Sequence, residues 1–291
     1  MKRIRDLLAQ SLSMWNQDNA PRLGASLAFY TILSISPLVV LVVAIVSLVF
    51  SRSGAQALLL AQVQSLIGAS GKDVVQTMLA SGQKPFSGIL STILGVITLI
   101  FGASAVFTEL RAALNAIWKV EPAKTGSGLW AIARERLFSF GMVVSVGFIL
   151  LVSLLLSAGL AAVTKFFGGL LPIAKGFWEV LNFIVSFLAI TILFALIFKY
   201  VPGTKIAWRD VRLGAVMTSL LFTVGKLLLA LYLGKTSPGS AYGAAGSLVV
   251  MVIWVYYSAQ IFYFGAEITH TLALSREERT QDDNVSADVA A

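Results

Sequence analysis

The chain has 291 residues, 57% of them hydrophobic and 12% charged, with a mean hydropathy of +0.86 and a formal net charge of +8. Soluble domains carry about 25% charged residues, so this chain lacks the polar surface to cover itself in water and reads as a membrane protein with no separate soluble domain. It has no cysteine, which excludes disulfides and thiolate metal sites.

Residues 1–22 open with Lys2, Arg3 and Arg5, and no uncharged apolar core follows, so a signal peptide is not expected. Ile4, Leu7, Leu8, Leu12 and Trp15 recur at helical spacing. They predict an amphipathic helix, either lying on an anionic membrane surface or packed as an ordinary first helix on the bundle. Six apolar stretches follow within 23–272, at about 25–50, 88–107, 137–164, 180–201, 211–234 and 243–272. Each is near or above the roughly 20 residues that span hydrocarbon. The predicted fold is all-α, a bundle of six transmembrane helices with amphipathic flanking helices.

Pro37 predicts a kink in the first span. The loop at about 51–87 keeps a helical period from Leu59 to Leu79 and predicts two short helices on the outer face. Gly95, Gly102, Gly214, Ala215, Thr218 and Ser219 predict close helix–helix packing. REERTQDDNVSADVAA (276–291) is acidic and lacks large apolar side chains, and residues 273–291 are predicted to form a disordered tail.

Fifteen Lys and Arg fall at the two chain ends and in alternate loops, against six on the opposite side, with Lys226 left inside a span. The inside-positive rule then puts both termini in the cytoplasm, as an even number of spans requires.

Three ordered blocks carry a resemblance: APRLGASLAFYTILSISPL (20–38), FTELRAALNAIWKV (107–120) and YVPGTKIAWRDVRLGA through GAEITH (200–270). They resemble the YihY/BrkB family of bacterial inner-membrane proteins over nearly the whole chain except the tail. The resemblance implies a six-helix inner-membrane protein. Members have been linked to serum resistance and to envelope-lipid or solute transport, and the family has carried a ribonuclease BN label.

Lys226 lies in GKLLLALYL, roughly 12 Å inside the outer end of the fifth span at 1.5 Å per residue. An ammonium there costs at least a few kcal/mol. It either leans outward to Glu179 or faces a wet cavity and meets an anion. The sixth span opens with SPGSAYGAAGS, where glycines and free N–H groups suit an anionic head group. Lys226, Lys235, Tyr242, Gly243 and Gly246 thus form a candidate anion or lipid site; an ordinary tight turn is the other reading of SPGSAYG. Glu109, Arg111 and Asn115 lie within a turn and a half, and Glu267 and His270 share a face. These five form a candidate cytoplasmic gate, with Glu267 paired to an arginine of the second loop, or else a static interfacial ion pair. Tyr30, Ser34, Tyr256 and Gln260 are candidates to line a polar path, with plain packing as the alternative.

One histidine and no cysteine supply no clustered metal site, and no nucleophile–base arrangement stands out. No enzyme activity, cofactor, metal or nucleic-acid partner is expected; membrane lipids are. The preferred function is a transporter or flippase for an anionic lipid, envelope precursor or small anion. A non-transporting envelope-biogenesis scaffold and a cation/proton antiporter are the alternatives. The sequence leaves the oligomeric state open.

Overall fold

The computed structural model describes residues 2–47, 50–81, 89–120, 174–236 and 245–290, with 137, 141 and 145 as single positions. These residues form eight helices and no strand: α1 (Lys2–Gln17), α2 (Ala20–Val46), α3 (Arg52–Ile67), α4 (Ala69–Ser81), α5 (Ile89–Ile117), α6 (Ala174–Tyr200), α7 (Trp208–Thr236) and α8 (Gly246–Ala290). Five hold a stretch long and apolar enough to cross a membrane: Ala20–Val46, Ile100–Ile117, Phe183–Tyr200, Trp208–Leu229 and Gly246–Arg276. The predicted span at 137–164 lies outside the described residues apart from the three single positions, so five of the six predicted spans are seen.

Local chemistry sets the helix boundaries. Asn19 sits between α1 and α2 in the left-handed region (φ 53°, ψ 40°), which asparagine tolerates better than most residues. Pro21 follows in the first turn of α2, where its missing N–H costs nothing. Ser51 caps α3 by accepting from the Gly54 N–H at 3.2 Å. Gly68, at φ +86°, ends α3 and lets α4 begin at once. α2 continues through Pro37 as one helix, and Gly102 of α5 lies so close to the proline ring that a Cβ there would come within 2.6 Å of Pro37 Cγ.

α7 and α8 run antiparallel and interlock through two reciprocal Gly–Thr steps. A Cβ on Gly214 would overlap Thr269, and one on Gly265 would overlap Thr218. Each threonine turns its hydroxyl back to a carbonyl on its own helix, Thr218 to Gly214 at 2.6 Å and Thr269 to Gly265 at 2.8 Å. No polar atom is left open at the closest approach. Small residues that admit a neighbouring backbone are what hold helices together in lipid, which gives apolar side chains no reason to cluster. The opposite face of α7 is a stripe of exposed Leu213, Val216, Leu220, Val224, Leu227 and Leu231, at the spacing of a helix that meets hydrocarbon.

Two cores result. At the end of the bundle that holds α1, Phe194, Phe198, Phe222 and Phe262 pack ring on ring at centroid distances of 5.1–6.3 Å, beside Leu110, Leu114, Ile117 and Tyr263. Phe262 and Tyr263 are the α8 aromatics of this core. At the far end, Val39, Val43 and Val46 of α2 meet Met251 of α8 and Ala55, Val75 and Leu79 of α3 and α4.

One open reading is resolved and one expectation changes. α1 closes onto α8 through buried Ser11, which hydrogen-bonds Thr271 at 3.1 Å, while Leu12 is exposed. Leu7, Leu8 and Trp15 of the predicted face are half-buried and Trp15 packs on the core, so α1 belongs to the bundle. Where a disordered tail is predicted from residue 273, α8 continues to Ala290. No glycine or proline interrupts 266–290, Ala273 is buried, and Arg276 Nη1 holds Asp210 of α7 at 3.1 Å.

Candidate functional site

The charged groups collect at the α1 end. α5 stops there because Lys119 takes a left-handed conformation (φ 51°). That turn aims its ammonium at the Asp18 carboxylate, in the two-residue break between α1 and α2, and the two form an ion pair. Only 7% of the Asp18 side chain is exposed, against 60% of that of Lys119. Opposite lies Glu267 of α8, wholly buried, with the Asp18 carboxyl within hydrogen-bonding reach and Lys119 close enough to act on it electrostatically. Three elements thus meet at one cluster of two buried carboxyls and one largely exposed ammonium.

The other predicted gate residues surround it. Glu109 accepts a hydrogen bond from Ser26 of α2 and lies in electrostatic reach of the buried Tyr263 hydroxyl. His270 is buried with its ring 4.8 Å from that of Trp118, the residue before Lys119. Arg111 is half-buried on α5. Asn115 Oδ1 accepts from the Gly203 N–H at 2.8 Å and ties α5 to the turn between α6 and α7. Asn115→Ala is expected to lower stability by about 1 kcal/mol by leaving that N–H without its acceptor, read as a lower melting midpoint of the detergent-solubilised protein.

The structure brings Glu109, Arg111, Asn115, Glu267 and His270 to one end of the bundle. A cation bonded within the cluster is Lys119, and Asp18 is the acid that sequence reasoning missed. Residues 121–136, the remainder of the second loop, lie outside the described residues.

Of the candidate anion site the structure places Lys226 and Gly246, which stand apart along the α7–α8 seam. The steps Gly214–Thr269, Thr218–Gly265 and Gly225–Tyr257 fix the α7–α8 register and set Lys226 level with Tyr257. Gly246 lies eleven residues from Tyr257 along α8, roughly 16 Å at 1.5 Å per residue. Lys226 is half-buried, one helical turn beyond Phe222, and pairs with no acid among the described residues. Tyr242, Gly243 and the side chains of Lys235 and Glu179 lie outside those residues.

The predicted path residues also separate. Ser34 is buried, whereas Tyr30 (38%) and Tyr256 (36%) are exposed. Gln260 presses on Gly24 and reaches the Ala20 carbonyl at 3.5 Å, which binds α8 to the start of α2. Among the described residues no group of three or more potential metal ligands forms.

Comparison with known proteins agrees with this picture. The profile of a family described as Virulence factor BrkB matches residues 11–290. A UPF0761 membrane protein of Ralstonia nicotianae is 26% identical over 278 residues, 94% of this chain and 60% of that protein. One from Pseudomonas aeruginosa is 27% identical over 269 residues, covering 89% and 61%. Another, from Mannheimia succiniciproducens, is 27% identical over 298 residues, covering 99% and 96%. This chain thus spans about three-fifths of the Ralstonia and Pseudomonas relatives and nearly all of the Mannheimia one. No solved structure matches. With five apolar spans, an all-helical fold and a profile match from Ser11 to the end of α8, the chain belongs to the Virulence factor BrkB family of membrane proteins.

Proposed function

We propose that this chain is a bacterial inner-membrane transporter or flippase that moves an anionic lipid, a lipid-linked envelope precursor or a small anion, with both termini in the cytoplasm. The observation that carries this reading is Lys226. A lysine well inside a membrane span is costly and is retained where it lines a pathway or meets a counter-ion. Lys226 is half-buried beside Phe222, and no described acid neutralises it. A passing phosphate or carboxylate would complete it. The Asp18–Lys119–Glu267 cluster then closes the cytoplasmic end, because it joins α5 and α8 to the α1–α2 junction.

The test is flux through purified protein in liposomes, with labelled phosphatidylglycerol and with small anions as cargo. Wild type is expected to accelerate movement of one of these. Lys226→Met, at equal incorporation and equal melting midpoint, is expected to slow it at least tenfold. Undiminished flux in that variant removes Lys226 from the mechanism. A wild type inert towards every anionic cargo favours the scaffold reading, to which the close Gly–Thr interlock of α7 and α8 is equally suited.

A further inference from the structure

Asp18 and Glu267 pose a problem of hydrogen-bond supply. Asp18 Oδ1 is engaged by Lys119, but Asp18 Oδ2 and both carboxyl oxygens of Glu267 are buried with no donor among the described residues. Two ionised carboxylates within hydrogen-bonding reach would oppose acceptor to acceptor. One ammonium cannot balance both, and an unpaired buried charge is among the most expensive features a fold can hold. A metal ion between them would need several further ligands. Among the described residues no third ligating side chain joins them.

We propose that Asp18 and Glu267 bind one exchangeable proton between them, as a carboxylic acid donating to a carboxylate, with Lys119 balancing the remaining negative charge. With the proton bound, the cluster is neutral and every facing oxygen has a partner. When the proton leaves to water, the O–H bond breaks, its electron pair stays on the carboxylate, and the cluster becomes a −1 site of two like charges. Repulsion then pushes α8 away from the α1–α2 junction. Lys119, mostly exposed, marks the short route to bulk water. As the coupling ion of a transporter this proton rests on the function proposed above; as a bound proton it does not.

Other ionisable groups stand at this end. From α5 come Glu109, bonded by Ser26, and Arg111; from α2 comes exposed Arg22. α8 contributes Tyr263 and His270, and α7 contributes Asp210, held by Arg276.

The experiment is pH-difference infrared spectroscopy on the whole protein in nanodiscs, reading the C=O stretch of a protonated carboxyl. One such band per chain is expected, lost on raising pH, absent in Glu267→Gln and in Asp18→Asn, and unchanged in His270→Gln. On the unmodified chain, the band is expected to shift when glutamate and aspartate carboxyls carry carbon-13, which keeps the test independent of variant folding. A band that persists in both acid variants, or its absence from wild type, overturns the proposal even if flux is intact. Displacement of the band by sodium at constant pH overturns it in favour of a metal cation. A band that meets these criteria supports it even in a preparation showing no flux.

Discussion

Gly265→Leu is expected to abolish the monodisperse, folded protein, and Gly214→Leu to do the same. Even a single methyl at Gly265 would come within 2.8 Å of Thr218 Cβ and Cγ2, and closer still to its hydroxyl. Thr218 is itself wholly buried and cannot swing away. Overpacking of this kind costs about 1–3 kcal/mol for small additions, so Gly265→Ala should survive with a lowered melting midpoint. A leucine forces α7 and α8 apart along the seam that supplies their packing. The pair Gly265→Ala with Thr218→Gly moves the empty slot from one helix to the other. It leaves the summed helix propensity little changed, since the loss at one glycine is gained at the other. The double variant should recover much of the loss, with a coupling energy of about 0.5–3 kcal/mol. Size-exclusion profiles after a temperature ramp decide the matter. A wild-type profile for Gly265→Leu would show that the interlock does not hold these helices.

Lys119→Met should destabilise by about 1–3 kcal/mol, the range for stranding a buried acceptor, tempered because Lys119 itself is largely exposed. The loss arises at Asp18, which stays buried without its cation and opposite Glu267. Adding Glu267→Gln offers Asp18 an amide donor and removes one acid, and should restore most of the loss. Melting midpoints of the four proteins form the cycle. Additive effects of the two substitutions would show that Lys119 and Glu267 do not share a cluster.

The hydropathy of the chain made five of the spans legible, because a run of about 20 apolar residues has few other uses. The α3–α4 pair was legible through the helical period of Leu59 to Leu79, and glycines and threonines marked a packing face on α7. Which residues face them was not, because Gly265 and Thr269 find Thr218 and Gly214 only through the antiparallel register. That register also separates Lys226 from the start of α8, two features that look adjacent in a sequence folded at a short turn. Asp18 was missed for a related reason. A carboxyl just after an amphipathic helix reads as a solvated terminus, and nothing local ties it to Glu267, 249 positions away. The acidic segment after Ala273 was read from its charge and its lack of large apolar residues. Its helix instead follows from an unbroken run of residues that tolerate helix, anchored by Arg276 on Asp210.

The measurement that bears most directly on transport through Lys226 is a structure of the protein in nanodiscs containing anionic lipid. Expected is headgroup density within about 4 Å of the Lys226 ammonium, reached from a polar opening between α7 and its neighbours. A Lys226 salt-bridged to a carboxylate of its own chain, such as Glu179, with only acyl chains around it, would contradict the proposed anion path.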